Sequence, residues 1–229
     1  MKPCLTQLHT EEYTIQREWT ADGFPVLTAS ISVPQPVPAT GNIARRIHRF
    51  YQLQARTYLR YCERWLLPQA KSAYQAALAV SAPLPCFHAS LNYRITYNEG
   101  GFWSLYTQSR EVAQSTSPFL TRHGDTWDLS TGYPVALHTF FPPRTHWKRR
   151  LLSIAAQEIQ RQESANISIY HPHWRGALRR HFNARNFYLT NDGLAFFFPM
   201  YSIAPAIEQI PTFLIPYGDS GPVVSRQTA

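Results

Sequence analysis

The nearest approach to a carboxylate pair in the sequence is Asp125 and Asp128, within "HGDTWDLSTG". Two carboxylates share acid–base work when they face one space and their environments hold their proton affinities apart. On a strand an odd separation sends the two side chains to opposite faces. Asp128 therefore reads as a hydrogen-bond acceptor inside the turn "DLSTG". His171 and His173 in "HPHW" supply two imidazoles without a third metal ligand nearby, and helix capping or surface exposure suits them better. Cys86 and His88 alternate along a strand and do not form a dyad. Cys4, Cys62 and Cys86 are an odd set without a CxxC pair, which gives neither a disulfide framework nor a zinc site. Cys62 falls in a helical apolar stripe and reads as a buried, inert thiol. No HExxH, GxSxG, Walker A or GxGxxG pattern occurs. The expectation is a non-enzymatic protein with no metal and no cofactor; a hydrolase assembled from residues distant in sequence is the third alternative.

Anion binding is the chemistry the charges permit. The formal net charge is +8 and the isoelectric point about 9.6. Such a surface favours encounters with nucleic acid, acidic lipid, wall polymer or acidic protein, without choosing among them. Arg45, Arg49, Arg56, Arg60 and Arg64 recur at helical spacing and form a basic face, readable as an anion-binding stripe or as a solvated face whose stems cover apolar surface. Trp147 and Trp174 adjoin Lys148, Arg149, Arg150, Arg175, Arg179 and Arg180, the interleaving a nucleic-acid binder would show. Both tryptophans fall on the apolar stripe of their helix, so they read as core anchors and nucleic acid is the less favoured partner.

The elements that must carry these residues follow from periodicity. Apolar content of 44% and aromatic content of 14% exclude a disordered chain. Alternation and the turn "TADG" predict a hairpin over 12–33, and Asn42 precedes a helix over 43–80 whose apolar stripe includes Phe50, Cys62, Trp65 and Leu66. Pro68 should kink or divide that helix. Antiparallel strands follow over 86–141 with a turn at "NEGG", helices over 145–183 with Thr145 as N-cap, strands over 185–217 around "TNDG", and a polar tail over 218–229. The fold class is α+β in a single domain, a mainly antiparallel sheet against one long helix and two shorter ones. The N-terminus lacks an apolar leader and no run of about 18 apolar residues occurs, so the sequence as written reads as a cytoplasmic chain without a membrane span.

Three phrases, "HASLNYRITYNEGGFWSLY", "DTWDLSTGYPVALHTFF" and "NFYLTNDGLAFFFPMYSIAPAIEQIPTFLIPY", resemble the bacterial domain of unknown function found in the extracellular part of lysozyme-sensing anti-sigma-V factors and beside peptidoglycan deacetylase domains. Asp192 and Gly193 through Pro199, Tyr201, Ile203, Ala204 and Pro205 carry its C-terminal signature. "STSPFLTRHGD" stands where many members have Gly-Gly-Ala-His, and Ala206 and Gln209 replace a tyrosine and a glycine. The resemblance implies a non-catalytic recognition domain whose partner is a protein, with lysozyme the family's example, or a cell-wall component. It also implies relatives outside the membrane. Pro199, Met200, Tyr201, Ile203 and Pro205 are the expected partner contacts, because a tyrosine held between prolines loses little entropy on binding. The alternative is a cytosolic polyanion or nucleic-acid binder that uses the arginine face.

Overall fold

In the computed structural model, residues 6–113, 117–167, 169–206, 209–218 and 221–224 are described. Among them nine strands fall in two sheets, one of order β1-β2-β3-β4-β5-β6 and one of order β7-β8-β9. The chain groups into two compact units. One comprises 9–93 and 107–120, the other 1–8, 94–106 and 121–229.

In the first unit β1 (Thr10–Ala21) and β2 (Phe24–Pro36) pair antiparallel. Asp22 and Gly23, both at positive φ, make the two-residue turn that the "ADG" sequence announces. A helix then runs from Asn42 to Ala79: α1 (Asn42–Tyr61), one π turn (Cys62–Leu66) and α2 (Leu67–Ala79). Pro68 does not divide it. The π turn places the Leu67 N–H on the Cys62 carbonyl directly before the residue that has no N–H to give, and the Gln69 side chain donates to the Trp65 carbonyl at 2.9 Å. Cys62, Leu66, Ala70 and Tyr74 recur every four residues and pack with Val26, Leu27, Ala29, Phe87 and Ala89. Trp65, expected on that stripe, is 64% exposed because it stands one residue off this line. Asn42 is already the first helical residue, and its side chain accepts from Arg45.

β3 (Phe87–Glu99) pairs with β2 in parallel, where a mainly antiparallel sheet is expected. The intervening helix is the cause: a long crossover carries the chain back along the sheet to the end at which β2 began, so the next strand runs the same way.

In the second unit Gly100 and Gly101, both at positive φ, connect β3 to β4 (Phe102–Val112). β5 (Phe119–Asp128) and the two-residue β6 (Tyr133–Pro134) follow. A 3₁₀ turn (Leu137–Phe140), α3 (Trp147–Ser164) and α4 (Trp174–His181) lead to β7 (Phe187–Leu189), β8 (Gly193–Phe197) and β9 (Thr212–Pro216), an antiparallel three-stranded sheet. Two sheets therefore stand where one is expected. Thr145 is not the α3 cap; His146 holds that position, and the Thr145 hydroxyl donates to the Pro142 carbonyl. In the tail region, Val223 N–H donates to the Phe140 carbonyl and Val224 packs on the core; 219–220 and 225–229 lie outside the described residues.

β8 is buried along its whole length. Phe196 meets Phe182, Phe198 and Phe213, and it shares a core with Leu151, Ala155, Ile159, Trp174 and Leu178 of the two helices. Phe197 points the other way, to Tyr188 and Arg122. This two-sided burial explains the run of three phenylalanines, since a central strand covered on both faces has no polar parity.

Candidate functional site

The groove between α3 and α4 is built by the same apolar stripes that anchor the helices. Leu151, Ala155 and Ile159 bury the inner face of α3, and Trp174 and Leu178 that of α4. Trp174 is 2% exposed and its indole N–H donates to Glu163, while Trp147 packs between Phe141 and Phe182. Both tryptophans are thus core anchors, as their helical spacing predicts. Where the two helices diverge they leave a groove of about 920 Å³, floored by Trp147, Leu152, Ala156, Trp174 and Leu178.

Its rim is cationic. Lys148, Arg149, Arg175 and Arg179, with His146, line it, and no carboxylate does. None of those four cations lies within 4 Å of a carboxylate among the described residues. Arg175 instead covers the Trp174 ring at 4.4 Å, and Lys148 stands over Phe182 at 5.3 Å. The first turn of α3 holds no acid and carries Lys148, Arg149 and Arg150, while its acids come late. Glu158 is paired with Arg161 and Gln162, which hold its carboxyl below the usual range, and Glu163 accepts from Trp174. Cations at a helix N-terminus oppose the dipole, each at a cost of about 0.3–1 kcal/mol. Dipole and side chains together make this end strongly positive.

The Pro-Tyr segment divides. Pro199 is exposed and Tyr201 is 48% exposed, Pro205 is half-buried, but Met200 and Ile203 are buried. The expected contact set thus reduces at its centre to Pro199 and Tyr201. The turn is closed by Ser202, whose N–H and hydroxyl both donate to the Pro199 carbonyl, and Tyr201 sits at φ 66°. A non-glycine residue in that region costs about 1 kcal/mol or more. The Ile203 carbonyl accepts from the His171 N–H, which ties this turn to the segment that starts α4.

Arg45, Arg49, Arg56, Arg60 and Arg64 are all exposed. At 100° per residue the first four fall within an arc of about 60° opposite the buried stripe. Arg45 bonds the Gly41 carbonyl and Asn42, Arg60 bonds Thr57, and none of the five has a carboxylate within 4 Å among the described residues.

The carboxylate, imidazole and thiol groups with catalytic potential take structural places. Asp128 accepts from the N–H and hydroxyl of Ser130, the turn role its sequence suggests. The His171 backbone bonds Ile203 and the His173 carbonyl accepts from Gly176 and Ala177. His88 shares a hydrogen bond with Thr28 at 2.8 Å, and the Cys86 thiol faces the Phe87 carbonyl. Among the described residues no three His, Cys, Asp or Glu side chains gather to hold a metal. A polar cluster that sequence reasoning missed joins Tyr61 to Glu111 at 3.0 Å beside buried Cys62. Burial pushes the Cys62 thiol up to about 12, aided by Glu111, and raises Glu111 itself despite the Tyr61 bond. A thiol so held is protonated and inert.

Architecture and groove together define a mixed α+β protein with an open, basic, aromatic-floored helical face. Residues 138–218, which include α3, α4 and the three-stranded sheet, match the family described as protein of unknown function DUF3298. No curated protein sequence matches the chain. In fold it is similar to a DUF3298-family protein from Bacteroides fragilis NCTC 9343, at TM-score 0.61 and 15% identity over 93% of this chain and 92% of that one. A DUF3298-family protein from Pseudomonas aeruginosa PAO1 is similar at TM-score 0.53 and 15% identity, over 94% and 92% of the two chains. No helix of the described residues is long and apolar enough to cross a membrane.

Proposed function

We propose that the protein is a non-catalytic recognition module, similar in mode to the sensor domain of anti-sigma-V factors, and that it holds an anionic protein or wall-associated partner in the α3–α4 groove. One observation carries this reading: a groove of about 920 Å³ whose rim cations have no carboxylate neighbour among the described residues and whose floor is apolar. Pockets of this size with a few convergent polar groups are the common form of binding sites. Paired-carboxylate acid–base chemistry would need Asp or Glu on the rim, and no carboxylate lines it. Pro199 and Tyr201 are the exposed members of the turn bonded to the start of α4 and serve as a secondary contact.

The test is affinity capture with wild type, Lys148→Glu/Arg175→Glu and Tyr201→Ala in parallel. A partner retained by wild type and lost from the double variant supports the groove; equal recovery from all three removes both groove and turn. The second reading, polyanion binding through the exposed stripe Arg45, Arg49, Arg56, Arg60 and Arg64, is favoured by their one-sided display. It predicts retention that falls steeply with salt and is lost in Arg56→Glu/Arg60→Glu.

A further inference from the structure

We infer that the ligand of the α3–α4 groove is a short acidic peptide segment in which carboxylates alternate with aliphatic side chains. The inference rests on the reading of the groove as the recognition site and narrows its ligand. Three features select this chemistry. The rim demands negative charge at separate points, since Lys148 and Arg149 stand on one helix and Arg175 and Arg179 on the other. The floor demands apolar groups: Leu152 and Ala156 are half-buried and remain open to a ligand. The length is set by α4, whose eight residues span about 12 Å at 1.5 Å each. An extended peptide covers that distance in about four residues and sends alternate side chains to opposite sides.

Nucleic acid fits less well because it would need an open ring face on which to stack. Trp174 is buried with Arg175 over its ring, and Trp147 is held against Phe141 and Phe182. A polyphosphate or sulfated polymer meets the rim but leaves the floor unfilled. The α3 N-terminus attracts any anion and so adds to the rim without choosing among them.

The experiment is fluorescence anisotropy with three labelled probes of equal charge: an alternating Glu-Leu peptide, oligoglutamate and oligothymidine. Because burying a single leucine is worth about tenfold or more in affinity, the Glu-Leu peptide is expected to bind at least about tenfold tighter than oligoglutamate. Lys148→Glu/Arg175→Glu should lower that affinity by about tenfold or more, Lys148→Gln/Arg175→Gln by less, and Arg56→Glu/Arg60→Glu should leave it unchanged. An acid in the first turn of α3 suits the helix dipole, so the reversal variant is expected to keep its circular dichroism spectrum, and the Gln variant repeats the test without charge reversal. If oligoglutamate or oligothymidine binds as tightly as the Glu-Leu peptide and remains sensitive to Lys148 and Arg175, the peptide inference is overturned while the groove reading stands. If no probe responds to either pair of variants at Lys148 and Arg175, both fall.

Discussion

Substituting Gly124 by alanine should be among the most damaging single-methyl changes in the protein. Gly124 lies in β5, where an added Cβ would stand 2.7 Å from the Phe187 carbonyl carbon and closer to its oxygen. Ordinary contact begins near 3.4 Å, and the obstacle is backbone, so no side chain can rotate aside. β7 would have to retreat by about 1 Å, which is beyond what a close-packed interior absorbs freely. The Leu189 N–H, fully buried in the same short strand, donates to the Ser104 hydroxyl at 2.9 Å. A retreat of about 1 Å takes that bond past hydrogen-bonding range. Overpacking costs about 1–3 kcal/mol and a stranded buried donor a further 1–3 kcal/mol or so, together about 4 kcal/mol. For a chain of this size that lowers Tm by about 10 °C. The assay is chemical and thermal unfolding of Gly124→Ala beside Gly176→Ala. Gly176 is in α4 with nothing within 4 Å of an added Cβ, so its alanine should be neutral or stabilising by up to about 1 kcal/mol. Unfolding of Gly124→Ala within about 1 kcal/mol of wild type would refute the close approach of β5 to β7.

Glu111 gives a pH signature. Its folded proton affinity is raised, chiefly by burial, so the folded state binds the proton more tightly than the unfolded chain. That contribution is present below the unfolded carboxylate range and is lost as pH rises through the raised folded value. Glu111→Gln, which still accepts from Tyr61, should therefore match or exceed wild-type stability near neutrality and lose its advantage in acid; denaturant midpoints across pH measure this. Cys62, fully buried and protonated, should resist alkylation in the native state and react only after unfolding, as peptide mapping would show. Tyr201→Gly should change stability by less than about 1 kcal/mol, because relief of the left-handed backbone offsets loss of a half-exposed ring; a larger loss by calorimetry would make the ring structural.

Local chemistry was legible where it is decided locally. The "ADG" and "GG" turns take the positive φ values their residues favour, and the expected bounds 12–33 and 43–80 lie close to the observed β1–β2 hairpin and the 42–79 helix. Gly193 is instructive, because its place in "TNDG" suggests a turn requirement. Instead the Thr190 backbone and hydroxyl close that turn, and Gly193 is needed because a Cβ would lie 2.7 Å from the Ile215 carbonyl carbon. Such demands come from residues distant in sequence and leave no local mark. The parallel pairing of β2 with β3 and the separation into two sheets are likewise decided by where a crossover delivers the chain. Met200 and Ile203 follow the same rule: their neighbours in "PMYSIAP" suggest a surface, yet both are buried, Ile203 within the Phe core. The groove had a partial signal in the tryptophan–arginine interleaving, but the pairing of α3 with α4 that makes it a groove required the fold.

Binding in the α3–α4 groove is tested at the residues themselves by an indole N–H titration in two-dimensional NMR with the alternating Glu-Leu peptide as probe. Five of the six tryptophans report on separate places: Trp147 at the groove floor, Trp174 beneath its rim, Trp65 exposed on the arginine helix, Trp103 and Trp127 deep in the core. Binding in the α3–α4 groove predicts that Trp147 shifts most and Trp174 follows, with Trp65, Trp103 and Trp127 unmoved. A shift of Trp65 with Trp147 stationary would contradict it and transfer binding to the arginine helix.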